Sequence, residues 1–228
     1  MRRLGPLLAL VLVACGGSRY GFDLPDHACR PADDEARPWE TRAYGMVAPE
    51  DAPRRGAARP RVVVQAFSDF ECPYCAQAEP TIDRLLEDYG DCVQVVWRNR
   101  PMPYHANARR AARAAHEVWA QRGDAAFWRY HDLLFADQEH LERADLERHA
   151  SAIEGIDMDA FRAALDGDAH EEVMVRDHDA IEALPTDQPL GTPSFFVNGT
   201  LVHGARRYVY FAYRVEEALA DAYGVAHD

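Results

Sequence analysis

The chain contains no lysine: all 25 of its basic residues are arginine, against 38 acidic ones, for a formal net charge of −13 over 228 residues. We read the missing lysine as genome composition and attach no function to it. The deficit of positive charge has a consequence, because an acidic surface repels phosphate backbones and counts against nucleic-acid binding. Long apolar runs are also missing. The only candidate, Leu4 to Ala14, covers eleven residues, about half of the ~20 needed to cross a bilayer as a helix. Five cysteines are too few to staple a chain of this length in place of a hydrophobic core. No internal repeat is present. Hydrophobic residues at 48% and charged residues at 28% exclude disordered and fibrous architectures and leave a globular domain of ordinary composition.

The first stretch reads as an address. Arg2 and Arg3 precede the short apolar run, which ends in Leu12-Val13-Ala14-Cys15-Gly16. A charged start, a short apolar segment and small residues at its end form an export signal, here residues 1–14. The closing residues resemble the lipobox of bacterial lipoproteins, which implies a lipid on Cys15. Residues 15–58, rich in Pro, Asp, Glu and Arg, are expected to be a tether and N-terminal arm in extended chain. Trp39, Tyr44 and Met46 could dock onto the domain. Export places the protein in a bacterial cell envelope, lipid-anchored to a membrane, where disulfides persist.

The pattern changes at Arg61. Val62 to Phe67 is a β-branched apolar run expected of a strand covered on both faces. Ser68-Asp69-Phe70-Glu71 turns into a helix that begins at Cys72-Pro73, where the missing proline N–H costs nothing. Pro80 is expected to kink this helix. A second strand follows over Cys92 to Trp97, so the unit is βαβ with parallel strands. Apolar residues at spacings of three and four then predict five helices between His105 and Leu184, the first ending before Gly123. After Gly191-Thr192-Pro193, two short strands flank Asn198-Gly199, a strong hairpin signal because both residues tolerate positive φ. A final amphipathic helix is predicted over residues 208–223.

This order resembles the thioredoxin superfamily, and within it the Dsb-type branch of exported thiol-disulfide oxidoreductases (DsbA-like). The resemblance is carried by Phe67-Ser68-Asp69-Phe70-Glu71-Cys72-Pro73-Tyr74-Cys75, by Arg98-Asn99-Arg100-Pro101 leading to His105, and by Gly191-Thr192-Pro193-Ser194-Phe195-Phe196-Val197-Asn198-Gly199. It implies an α/β thioredoxin fold, β-α-β then β-hairpin-α, with an inserted all-helical domain: residues 59–104 and 186–228 as the two halves and 105–185 as the insert. It also implies a redox-active Cys72–Cys75 disulfide in an active-site motif with Pro73 and Tyr74. A cis Pro193 beside it would let the Thr192 backbone receive an extended substrate segment. No cofactor beyond that disulfide is expected.

Elementary thiol chemistry supports the same use of the pair. Exchange needs a thiolate attacker and a second sulfur within reach to resolve the mixed disulfide. Cys72 at a helix N-terminus is favoured as thiolate, and Cys75, one turn on, is the resolver. Asp69 and Glu71 are expected to oppose the thiolate. Zinc is the alternative use of such a pair, but no second Cys-x-x-Cys or close His pair completes four ligands, so no metal is expected. With Cys15 and the pair set aside, Cys29 and Cys92 remain, and exported proteins tend to bridge such leftovers. Two free thiols or intermolecular pairing are the alternatives.

The function expected is an envelope oxidase donating the Cys72–Cys75 disulfide to exported protein thiols and recharged by an unidentified redox partner. A reductase or isomerase acting on exported disulfides uses the same motif. A non-catalytic lipoprotein that binds peptides or assembles a metallo-centre is the reading from another class. The lack of an N-terminal dimerisation domain favours a monomer. Replacing Cys15 by Ala is expected to move the protein from the membrane pellet to the soluble fraction. A Cys15→Ala protein that still sediments with membranes excludes Cys15 as the sole anchor.

Overall fold

The computed structural model describes residues 19–22, 24, 29 and 46–225; Cys15, Trp39 and Tyr44 lie outside the described residues. Two buried strands, β2 (Val62–Ser68) and β3 (Val93–Asn99), run parallel in the middle of a five-stranded sheet. Every residue of both is buried, which is why both read as continuous apolar runs and not as alternating ones. The helix α1 (Pro73–Tyr89) crosses between them. The hairpin β4 (Ser194–Val197) and β5 (Thr200–His203) is antiparallel and lies on the other side of β2, with Ala66 opposite Phe195. Asn198 and Gly199 turn it, at φ values of 42° and 84°. Asn198 also uses its side chain: its Oδ1 accepts from the Val63 N–H at 2.7 Å and its Nδ2 donates to the Arg61 carbonyl.

The edge of the sheet corrects the sequence expectation. Residues 15–58 read as extended, unpaired chain, yet β1 (Arg54–Gly56) pairs antiparallel with β3, giving the order β1-β3-β2-β4-β5. Three residues, two of them half-buried arginines, carry no apolar alternation, which is how a short charged edge strand both hides from pattern reading and resists pairing with other chains. Gly56 sits at φ +100°, and a Cβ there would lie 2.3 Å from the Val93 carbonyl oxygen. Only glycine fits that close approach.

Between β3 and β4 the chain is helical: α2 (Ala108–Ala136), α3 (Arg143–Ser151), α4 (Met158–Asp166) and α5 (Glu171–Glu182). Gly123 breaks α2 with φ 71° and ψ −165°, so the two helices predicted on either side of it meet at a kink. Pro80 is accommodated inside α1, which continues to Tyr89. The last helix, α6 (Tyr208–Ala222), packs with α1 on one face of the sheet. A large core that includes Val64, Leu85, Trp97, Phe127 and Phe211 fills that side. On the opposite side a smaller cluster of Met46, Phe67, Ile181 and Phe196 seats α5.

Polar groups fix α5 in register. The buried Arg98 guanidinium pairs with the equally buried Asp177 at 2.7 Å and donates to Gln65. Asp177 also accepts from the Asn99 N–H, and the Gln65 amide donates to the Met46 carbonyl. Met46, placed in the tether by sequence, is thereby part of the folded unit.

Cys29 is joined to Cys92 by a disulfide with a Cα–Cα distance of 4.7 Å and a sequence separation of 63. Cys92 is buried where α1 passes into β3. In the chain-entropy model a loop of that length is worth about 4 kcal/mol. Peptide mapping of the unreduced protein should recover Cys29 linked to Cys92. Replacing both with Ser should lower the unfolding free energy by about 4 kcal/mol in that model, and free thiols at both positions in the air-oxidised protein would refute the bridge.

Candidate active site

The site grows from the C-terminal ends of β2 and β3. Ser68 ends β2, and shortly after it Cys72 occupies the cap of α1 in extended conformation, φ −80° and ψ 119°. No side chain caps this helix, so its first amides and its dipole are left to the sulfur. The Cys72 carbonyl accepts the Cys75 N–H at 3.0 Å and the Ala76 N–H at 3.3 Å, which sets the two cysteines one turn apart on one face. Both are free thiols here, and both are buried.

Their environments push them in opposite directions. The Cys75 thiol, Thr192 and the amides of Cys75 and Tyr74 favour a Cys72 thiolate; they outweigh burial and bring its pKa from 9.0 down to about 5. Burial pushes the Cys75 thiol up, and the neighbouring Cys72 adds to it. Cys72 is therefore the thiolate at neutral pH and Cys75 the protonated partner.

Asp69 and Glu71 also have a structural use. The Asp69 side chain is wholly buried. Its Oδ1 accepts the Glu71 N–H at 2.8 Å, and its Oδ2 receives the Met102 N–H at 2.8 Å with His105 Nδ1 at 2.7 Å. Glu71 Oε2 accepts the Asn107 N–H at 2.6 Å, at the start of α2. Both carboxylates have fixed partners that tie the cysteine loop to the loop after β3. That is the structural use of the Arg98–His105 phrase: Arg100 N–H donates to the Ser68 carbonyl at 2.9 Å, and His105 completes the clasp.

Two further residues escape sequence reasoning. Gln138, just past α2, donates its side-chain amide to the carbonyls of Phe70 at 2.8 Å and Cys72 at 2.9 Å. A lone glutamine after a helix gives no pattern to detect. His131 is buried against Phe70, Trp97, Trp128 and Phe135, with ring centroids 4.8–5.7 Å away, and reads in sequence as one more helical position.

The Thr192–Pro193 bond is cis. The Thr192 carbonyl oxygen accepts from the Cys72 thiol at an Sγ···O distance of 3.5 Å. Ser194 Oγ donates to the Gly191 carbonyl at 2.7 Å, and the Gly204 N–H to the Pro193 carbonyl at 2.9 Å. Thus Cys72, Cys75, Thr192 and Pro193 come together at one end of the sheet, with Tyr74 63% exposed at its rim. Cys29 and Cys92 are placed apart from it, in the disulfide described above.

Comparison with known proteins agrees with this geometry. A family model described as thioredoxin matches residues 49–216. Among solved structures, the catalytic domain of Proteus mirabilis ScsC is 26% identical with a TM-score of 0.60, covering 75% of this chain and 91% of that one. Oxidised BdbD from Bacillus subtilis gives 24% and 0.66, with coverages of 75% and 94%. The thiol-disulfide exchange protein α-DsbA2 from Wolbachia pipientis gives 20% and 0.64, with 74% and 87%. A curated relative, the Na(+)/H(+) antiporter NhaA 3 of Salinispora tropica, is 40% identical over 181 residues, 78% of this chain but 26% of the antiporter. The chain thus spans about a quarter of that relative's length, and no helix among the described residues is long and apolar enough to cross a membrane. The chain belongs to the thioredoxin family, whose model matches it over residues 49–216.

Proposed function

We propose that the protein is an oxidase of the bacterial envelope, held there by a lipid on Cys15, which transfers the Cys72–Cys75 disulfide to thiols of exported proteins. The observation that carries the direction is the depressed pKa of Cys72. Stabilising the thiolate stabilises the reduced protein, and a stable reduced form makes the disulfide the stronger oxidant. Two reference proteins set the scale. A thioredoxin with its attacking cysteine near pKa ~7 has a potential of about −270 mV, and DsbA with ~3.5 has about −120 mV. A Cys72 pKa of about 5 lies between them. Counted from the thioredoxin reference at about 30 mV for each pKa unit, it gives roughly −210 mV.

Substrate would arrive as extended chain. The Thr192 main chain lies 3.5 Å from Cys72, a position suited to pairing with a short strand of any sequence. A substrate thiolate attacks Cys72 Sγ, the Cys72–Cys75 bond breaks, and Cys75 leaves with the electron pair and takes up a proton. A second substrate thiolate then attacks the substrate sulfur of the mixed disulfide and releases Cys72 as thiolate. The substrate gains a disulfide and the protein ends as the dithiol, which a membrane or soluble redox partner must reoxidise.

Two measurements test this. Thiolate absorbance of the reduced protein should titrate with a midpoint near 5, and that step should be lost in Cys72→Ser; a midpoint at 7 or above would overturn the oxidase reading in favour of a reductase. The potential in glutathione buffers should fall near −210 mV, and a value below about −260 mV would likewise favour the reductase. The sign also fixes a stability trend. Because the folded-state pKa is depressed, the thiolate's contribution is fully present above the unfolded value near 9 and is lost as pH falls toward 5. Lowering the pH from 8 to 4 should destabilise the reduced form relative to the oxidised form, which has no thiol at Cys72.

A further inference from the structure

The start of α6 carries positive charge in an acidic protein. Residues 204–215 contain Arg206, Arg207 and Arg214 and no acidic side chain, in a chain of formal charge −13. Val209 is 50% exposed, and Tyr210 and Tyr213 are each 39% exposed. The guanidinium groups lie over the tyrosine rings: Arg214 is 5.3 Å from the Tyr210 centroid and 5.6 Å from that of Tyr213, and Arg206 is 6.0 Å from Tyr210. Arginine, tyrosine and valine side by side, with the charge at the tips, suit the zone where headgroups meet acyl chains.

A second observation comes from the N-terminal segment. Arg19 donates to Asp88 at 2.7 Å and to the Tyr208 hydroxyl at 3.2 Å, and Tyr20 and Phe22 pack on Tyr213 with centroids 6.2 and 5.4 Å away. The segment that follows the lipobox is therefore seated on this same helix. Four residue steps separate Cys15 from Arg19, a reach of at most about 14 Å of extended chain. A lipid on Cys15 brings the bilayer to this face and to no distant one.

We propose that the N-terminal face of α6, built from Arg206, Arg207, Val209, Tyr210 and Tyr213, is a docking surface for an anionic lipid bilayer and sets how the anchored domain stands on it. The proposal rests on the reading of Cys15 as lipid-bearing. Negative headgroups attract the arginines against the overall charge of the protein, and the tyrosines and valine bury at the boundary. The orientation matters for the oxidase. Arg84 stacks on Tyr208 at 4.0 Å and Asp88 receives its hydroxyl, so the face adjoins the last turns of α1. Cys72 caps the other end of that helix, about 20 Å away at 1.5 Å per residue. Docking through α6 holds the domain at the membrane and leaves Cys72, Tyr74 and Thr192 open to exported chains.

The test is tyrosine footprinting of the lipidated full protein on vesicles, at one chain per vesicle, with iodinated tyrosines located by mass spectrometry. Tyr74 and Tyr104, 63% and 72% exposed, are internal references. On phosphatidylglycerol vesicles, labelling of Tyr210 and Tyr213 should drop about fivefold relative to those references, as interfacial burial requires. The drop should disappear at high salt and in an Arg206→Gln/Arg207→Gln variant, whose unchanged Cys72 titration confirms its fold. Equal labelling of all four tyrosines on these vesicles overturns the proposal. So does protection of Tyr210 and Tyr213 that needs many chains per vesicle, which would assign the face to a second copy. Flotation reads the lipid separately: if the protein does not float with vesicles, the Cys15 reading fails. The same footprint taken in excess vesicles then decides the face, protection supporting it and its absence overturning it.

Discussion

Everything at the active site hangs on how the short loop between β2 and α1 is held. Asp69 is the fixed point: a wholly buried carboxylate with both oxygens engaged, by the Glu71 and Met102 amides and by His105. Burying such a group is strongly unfavourable unless it is fully hydrogen-bonded. These partners come from two separate loops, so satisfying the carboxylate also fixes the loops to each other. Gln138 and Glu71 repeat the device from the helical side, one through the carbonyls of Phe70 and Cys72 and the other through the Asn107 amide. The Cys72 sulfur inherits its position from these bonds and stays available for exchange.

The parts of this arrangement that can be read in the sequence are those where a residue type has a local reason to be where it is. Proline at the first helical position, Asn198-Gly199 in a two-residue turn, Gly123 between two apolar stripes and the unbroken apolar runs of β2 and β3 each declare themselves within a few residues. The cis state of Thr192–Pro193 has no such local mark and is expected only through the resemblance to the thioredoxin superfamily. The strand β1 is hidden because it owes its existence to the unpaired edge of β3, with Trp97 N–H reaching back to the Pro53 carbonyl. Gln138 is hidden for the same kind of reason, since its partners lie 66 and 68 positions away. Asp69 and Glu71 stand out in the sequence by their proximity to Cys72, while their long-range partners Met102, His105 and Asn107 do not.

Charge on the other face of the sheet is arranged in a similar way. The Arg98–Asp177 pair is buried, and a buried pair is weak grounds for stability because desolvation offsets the attraction. Its partners argue for a positional role. Asp177 holds the Asn99 amide, Arg98 holds Gln65, and Gln65 holds the Met46 carbonyl, so one network sets α5, the end of β3 and the entering chain in mutual register. Arg100 extends it to His178 and Glu182 on α5 and to the Leu190 carbonyl on the way to Thr192. The cis-proline loop and the cysteine loop are thus both tied back to β3.

The opposite shifts of the two cysteines bear on kinetics as well as on equilibrium. In a mixed disulfide through Cys72, two outcomes compete: Cys75 attacks and expels the substrate thiolate, or a substrate thiol attacks and expels Cys72. The first requires the Cys75 thiolate, which burial disfavours. The second expels Cys72, whose low pKa makes it the better leaving group. A reductase needs the first path to complete its turnover, because only Cys75 can release a reduced product. An oxidase needs the second. With Cys75 held as a buried thiol and Cys72 favoured as a leaving anion, the oxidase path is the one we propose for the mixed disulfide. That kinetic bias and the thermodynamic one have a common origin in the placement of one sulfur at an uncapped helix start and the other a turn deeper.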